Sequence, residues 1–147
     1  SNYRGQYSSL IHSDAIAFLD SIAGEDPVDA VASSDVLIYI GELDRLFAGV
    51  QAVLKPGGCF AFTIEVMPES HFPSLPDEGE GDEGGEEEAK EKKGYWLLES
   101  GRFGHSPDYI EGMASKHGFT LKAKESTSIR MQNQQPVPSM TYCLEKK

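Results

Sequence analysis

Asp35 and His105 stand where this sequence leaves its apolar patterns, and both side-chain types can accept a proton from a bound molecule when geometry and ionisation suit. Asp35 follows Ser33 and Ser34 in "VDAVASSDVLIYI", where a small apolar strand at 28–32 turns abruptly polar, as strands do on reaching a cleft. It can equally cap the turn into "VLIYI". His105, in "GRFGHSP", titrates near neutrality in a loop beside that cleft, or is simply a hydrogen-bonded loop histidine. Arg102 can hold a carboxylate or phosphate, or pair with Glu99. Tyr39, Phe103 and Trp96 are aromatic candidates for a pocket wall, with core packing the alternative for Trp96. His12, His71 and His117 are isolated, and solvated positions are expected for them.

The elements that must position these residues follow from periodicity. "SDAIAFLDSIAGEDP" suits a short helix through Ile16, Phe18, Leu19 and Ile22, closed by "GEDP". "GELDRLFAGVQAVLKPGG" sets Leu43, Leu46, Phe47, Val50, Val53 and Leu54 along one side of a second helix. Lys55 in its last turn favours the helix C-terminus, and Pro56, Gly57 and Gly58 end it. "CFAFTIE" is apolar on both faces except at Thr63, as in a parallel strand covered on both sides. "GYWLLE" is a strand candidate. A third helix begins with Ser106 as N-cap and Pro107 at its first position, carries Tyr109, Ile110, Met113 and Ala114 on its apolar side, and ends at Gly118. "FTLKAKESTSIRMQ" and "PSMTYCLEK" alternate like two antiparallel strands at the sheet edge, joined through "NQQPVP". The order is that of an α/β protein.

At 147 residues, 39% hydrophobic and 25% charged, the chain fits a single domain. Its net charge of −11 is uneven: "DEGEGDEGGEEEAKEKK" at 77–93 holds nine acidic and three basic side chains. Such a segment resists collapse, so 67–93 reads as a flexible acidic insertion, either a solvated spacer, a lid or a docking site for basic proteins. No basic patch interleaves with aromatics, which argues against nucleic acid, and no apolar run is long enough to span a membrane. The first residues lack the basic-then-apolar order of a signal peptide, so a cytoplasmic location is expected. Cys59 and Cys143 have no CxxC or Cys/His spacing, so buried free thiols are expected, with no disulfide and no metal site.

The stretch "VDAVASSDVLIYIGELDRLFAGVQAVLKPGGCFAFTIE" resembles the central part of class I S-adenosylmethionine-dependent methyltransferases: fourth strand, following helix, "LKPGG" turn and fifth strand. "HSDAIAFL" looks like the segment after the third strand, and "GYWLLESGRFGHSPDYIEGMASKHGFTLKAKEST" resembles the C-terminal section of small-molecule and TPR-linked members. The resemblance implies a partial Rossmann-like fold, mostly parallel with an antiparallel C-terminal hairpin. It implies S-adenosylmethionine as cofactor, with Asp14 accepting from the adenine amino group and the Ala15 N–H meeting a ring nitrogen. Ser33, Ser34 and Asp35 would border the methionine part, consistent with ligand binding beyond the carboxyl ends of strands in open α/β sheets. Glu65 would end the next strand on the same rim, facing the substrate cleft or anchoring the acidic segment. Asp35 and His105 are the candidate bases, and Tyr39, Glu65, Arg102 and Phe103 the candidate contacts to a small-molecule or protein methyl acceptor.

The family's glycine-rich loop and the acidic residue that grips the ribose have no counterpart here. Gly79, Glu80 and Gly81 lie inside the acidic run and open no apolar helix. The chain therefore resembles the C-terminal part of a methyltransferase, inactive by itself, whose fourth strand has an unpaired edge open to self-association or to the missing half. A non-catalytic interaction module using that edge or the acidic segment is the alternative, and an acidic decoy for basic proteins is a third.

Overall fold

The computed structural model describes residues 5–68, 94–127, 131–132 and 134–147. Most of the acidic insertion at 67–93 lies outside them. Helix α1 (Ala15–Ile22) starts at Asp14, whose carboxylate accepts the Ala17 N–H at 3.0 Å and so satisfies one of the N–H groups that a first helical turn leaves unmatched. β1 (Val28–Ser33) and a 3-10 turn (Leu37–Tyr39) lead to helix α2 (Asp44–Val53), which buries Leu46, Phe47, Val50 and Val53 at helical spacing. β2 (Leu54–Val66) begins directly after α2, so Lys55 lies outside the helix and pairs with Asp29 on the surface. β3 (Tyr95–Leu97), β4 (Phe103–His105) and α3 (Pro107–Lys116) follow, with Ser106 accepting from the Tyr109 N–H as N-cap. β5 (Phe119–Thr127), β6 (Met131–Gln132), β7 (Gln135–Pro136) and β8 (Ser139–Lys146) complete the chain.

β1 and β2 run parallel, with Ser33 beside Phe62. β8 lies antiparallel between β2 and β5, so the strand read as an edge is interior. β4 pairs parallel with the end of β2, through Glu65 with Gly104 and Val66 with His105. Because β8 occupies the other edge of β2 there, through Glu65 with Ser139, β4 takes up the edge that β1 has just left. The sheet is mixed rather than mostly parallel: β3 on β4, and β8 on both neighbours, are antiparallel.

The three α-helices of the described residues cover one face. Leu19 of α1, Phe47 of α2 and Ile110 of α3 share a single core with Phe60, Phe62 and Ile64 of β2 and Tyr142 and Leu144 of β8. Phe47 stands edge-on to Phe60, Phe62 and Phe119. Strand alternation sends Cys59, Ala61 and Thr63 to the opposite face, where they are half-buried, so β2 is not covered on both sides by the described residues. Cys59 and Cys143 are likewise half-buried instead of buried. Among the described residues β1 pairs only with β2, and no helix is long and apolar enough to cross a membrane.

Candidate active site

β1 ends at Ser33, and two residues on Asp35 adopts φ 55°, a left-handed conformation that costs a residue with a side chain energy unless its surroundings impose it. The Asp35 N–H donates to Thr63 Oγ1 on β2 at 3.3 Å. Thr63, a polar residue within the apolar run 60–64 of β2, thus ties the end of β1 to its neighbour. Leu37 and Ile38 then drop into the interior and leave Tyr39 on the surface, 65% exposed.

Glu65 is only 3% exposed and accepts a hydrogen bond from Arg102 Nε at 2.9 Å. That bond is the main cause of a raised Arg102 pKa, which burial opposes and to which the charges of Tyr39 and Asp35 add slightly. Glu99, the pairing considered from sequence, is not the partner in this ion pair. Register explains why: β4 follows β1 along the edge of β2, which carries residue 102 over the end of β2.

His105 departs from expectation. It belongs to β4 rather than to a loop beside a cleft, and it is fully buried. Its Nε2 lies 2.9 Å from the Ile40 carbonyl oxygen and 3.0 Å from that of Gly41. Carbonyls only accept, so Nε2 carries the proton and cannot take up another. Nδ1 is buried with no hydrogen-bond partner among the described residues. Burial lowers the pKa of the ring, against the smaller opposing pull of the two carbonyls. His105 is thereby a positioning residue that holds the 40–41 segment to β4. Phe103 packs on that segment too: a Cβ at Gly41 would fall 2.8 Å from its ring. His117, expected in solvent, is mostly buried and pairs with Asp44 at 2.9 Å; the hydrogen bond from Lys116, and after it that from His117, lowers the Asp44 pKa.

A groove of about 580 Å³ runs along the open edge of β1 between α1 and α2. Val28, Val31, Leu46 and Val50 make most of its wall apolar, whereas Ser33, Ser34 and Ala15 give one end polar groups. Ala15 is the first residue of α1, where N–H groups have no intrahelical acceptor. The groove therefore unites Ala15, Ser33 and Ser34, with Asp14 adjoining as the cap of the same helix, in a space of the size that holds a small ligand. Asp35, Tyr39, Glu65 and Arg102 form the neighbouring cluster, while His105 lines neither. β4, Thr63 and the Asp44–His117 pair were not identified as site elements from sequence; the signal for Thr63 was its polarity inside an apolar run.

No protein-family model matches the chain, and no curated protein sequence is similar to it. Solved structures do share its fold. A methyltransferase from Methanosarcina mazei, described as S-adenosylmethionine-dependent, superposes with a TM-score of 0.55 at 14% identity over 82% of this chain and 60% of its own. One from Mesorhizobium loti gives 0.53 at 20% identity over 82% and 62%. The N-methyltransferase NodS from Bradyrhizobium japonicum, crystallised with S-adenosyl-L-homocysteine, gives 0.53 at 10% identity over 91% and 52%. The chain thus has the α/β fold of S-adenosylmethionine-dependent methyltransferases while spanning between half and two thirds of their length.

Proposed function

We propose that this chain is the C-terminal part of an S-adenosylmethionine-dependent methyltransferase domain that transfers a methyl group to a small-molecule or protein acceptor. The observation that carries the reading is the groove joining Ala15 to Ser33 and Ser34 at the carboxyl end of a parallel strand. There Asp14 and Ala15 suit an adenine edge, and Ser33 and Ser34 the sulfonium end. S-adenosylmethionine supplies the transferable methyl when bound. The chain's own contribution is placement and exclusion of water: Thr63 holds Asp35 at the rim, Glu65 holds Arg102, and Tyr39 stands open toward an acceptor. Asp35 is the base candidate that fits this arrangement, with His105 acting through the loop it tethers.

The chain contains no glycine-rich cofactor loop, so the amino-acid end of the cofactor falls to a segment pairing on the open edge of β1. Titration calorimetry with S-adenosylmethionine tests the reading. Binding by a longer protein that adds a glycine-rich segment upstream of residue 1, weakened strongly by Ser34→Trp, supports it. Absence of binding by both the chain and the longer protein sinks it.

A second reading, a non-catalytic module that associates through β1, is favoured by the open edge and by the apolar wall of the groove. It predicts concentration-dependent self-association in sedimentation, abolished by a proline at Ala30, without cofactor binding.

A further inference from the structure

Cys59 on β2 and Cys143 on β8 sit diagonally across one antiparallel ladder, in which Cys59 faces Glu145 and Ala61 faces Cys143. Both point to the sheet face away from the helices and are half-buried, so small thiol reagents can reach them. Their Sγ atoms lie 3.0 Å apart. That is less than the sum of two sulfur radii, and a disulfide needs a separation of about 2.05 Å, a further approach of roughly 1 Å. We propose that Cys59 and Cys143 form a reversible intramolecular disulfide with a small disulfide oxidant such as oxidised glutathione. The site is independent of the methyl-transfer reading.

In the reaction one cysteine thiolate attacks a sulfur of oxidised glutathione, breaking its S–S bond and releasing one glutathione. The second cysteine gives its proton to solvent and displaces the second glutathione from the mixed disulfide, forming the Cys59–Cys143 bond. Two protein thiols lose two electrons, and one glutathione disulfide becomes two thiols. The hydrogen bond with Cys143 holds the Cys59 thiol up at about 11, with burial adding to it, so exchange is slow at neutral pH and quickens in mild base. The bond would staple two central strands across 84 residues of sequence, a long loop whose closure restricts the unfolded chain.

The test is incubation of the whole chain with oxidised glutathione, then alkylation and mass spectrometry under non-reducing conditions. The expected product has lost about 2 Da, takes up no alkylating agent, yields a Cys59–Cys143 cross-linked peptide and returns to the starting mass with dithiothreitol. Its melting temperature rises by several degrees over the reduced chain. Cys143→Ser acquires a single glutathione and no cross-link. Two freely alkylated thiols, a persistent glutathione adduct on the unmodified sequence, or linkage only between chains would overturn the proposal.

Discussion

Arg102 Nε donates to Glu65 Oε2 at 2.9 Å across the seam where β4 replaces β1 on the edge of β2. The carboxylate side is almost closed to water and the guanidinium side partly open, at 4% and 19% exposure of the two side chains. The two ends of the pair are therefore unequal: an unpaired Glu65 stays buried, whereas an unpaired Arg102 can turn outward.

Removal of Arg102 should accordingly cost more than neutralisation of Glu65. Arg102→Ala is expected to destabilise by about 3 kcal/mol, since it strands a buried charge, and Glu65→Gln, which keeps an oxygen acceptor for the guanidinium, by about half of that. Urea unfolding of the two variants checks the order. Equal losses would mean that the pair is solvated.

His105 predicts an acid-sensitive fold. Its pKa is lowered in the folded chain from an ordinary 6.5, so on acidification the unfolded form gains a proton first. The stability due to its neutral state is complete above about 6.5 and falls as pH drops from there towards the folded value. His105→Gln should flatten the dependence of the unfolding midpoint on pH in that window. An unchanged slope would place the sensitivity elsewhere.

Asp35 separates strain from function. Glycine tolerates φ 55° without a side-chain clash, so Asp35→Gly should leave stability within about 0.5 kcal/mol, whereas Asp35→Val should lose about 1–3 kcal/mol. If Asp35 acts on the acceptor, the glycine variant of the longer protein still binds cofactor but loses at least tenfold in kcat. Full activity in that variant would make Asp35 a turn residue.

Asp14 has a cap to lose and, under the proposed function, a ligand contact. Asp14→Ala should cost about 1 kcal/mol in thermal unfolding, because the Ala17 N–H loses its acceptor. Asp14→Asn keeps a capping oxygen and should retain stability while weakening S-adenosylmethionine binding by the longer protein. Unchanged binding would confine Asp14 to the cap.

Gly41 is hemmed in by rings. A Cβ there would stand 2.8 Å from Phe103 and 2.9 Å from Tyr95, so Gly41→Ala must displace the segment that His105 holds. A loss of about 1–3 kcal/mol is expected in denaturant titration, with added exposure of the Tyr95 ring to quenchers.

Much of the fold was legible because it is decided by near neighbours. Ser106 caps its helix by reaching three residues ahead, and Phe47, Val50 and Val53 make one buried side through helical spacing alone. Asp14 does the same for its helix, a role not assigned to it from sequence. The first strand was expected to close at Ala32, one residue short of its end at Ser33, from the change of polarity through Ser33, Ser34 and Asp35. β4 was missed because a strand of three residues has too little alternation to stand out, and it is held by β2 and β3 rather than by its own pattern. The misplacement of His105 followed from that.

The α/β order, the Ser106 cap and the polar end of β1 were thus determined by the sequence itself, since caps, turns and periodic faces depend on contacts a few residues long. The tertiary structure alone decided that β8 enters between β2 and β5, that Arg102 meets Glu65 and not Glu99, that His105 is enclosed, and that Cys59 touches Cys143. These are questions of sheet register. Shifting a strand by one residue reverses every side chain on it, and only the burial of a whole face against the helices selects among the registers.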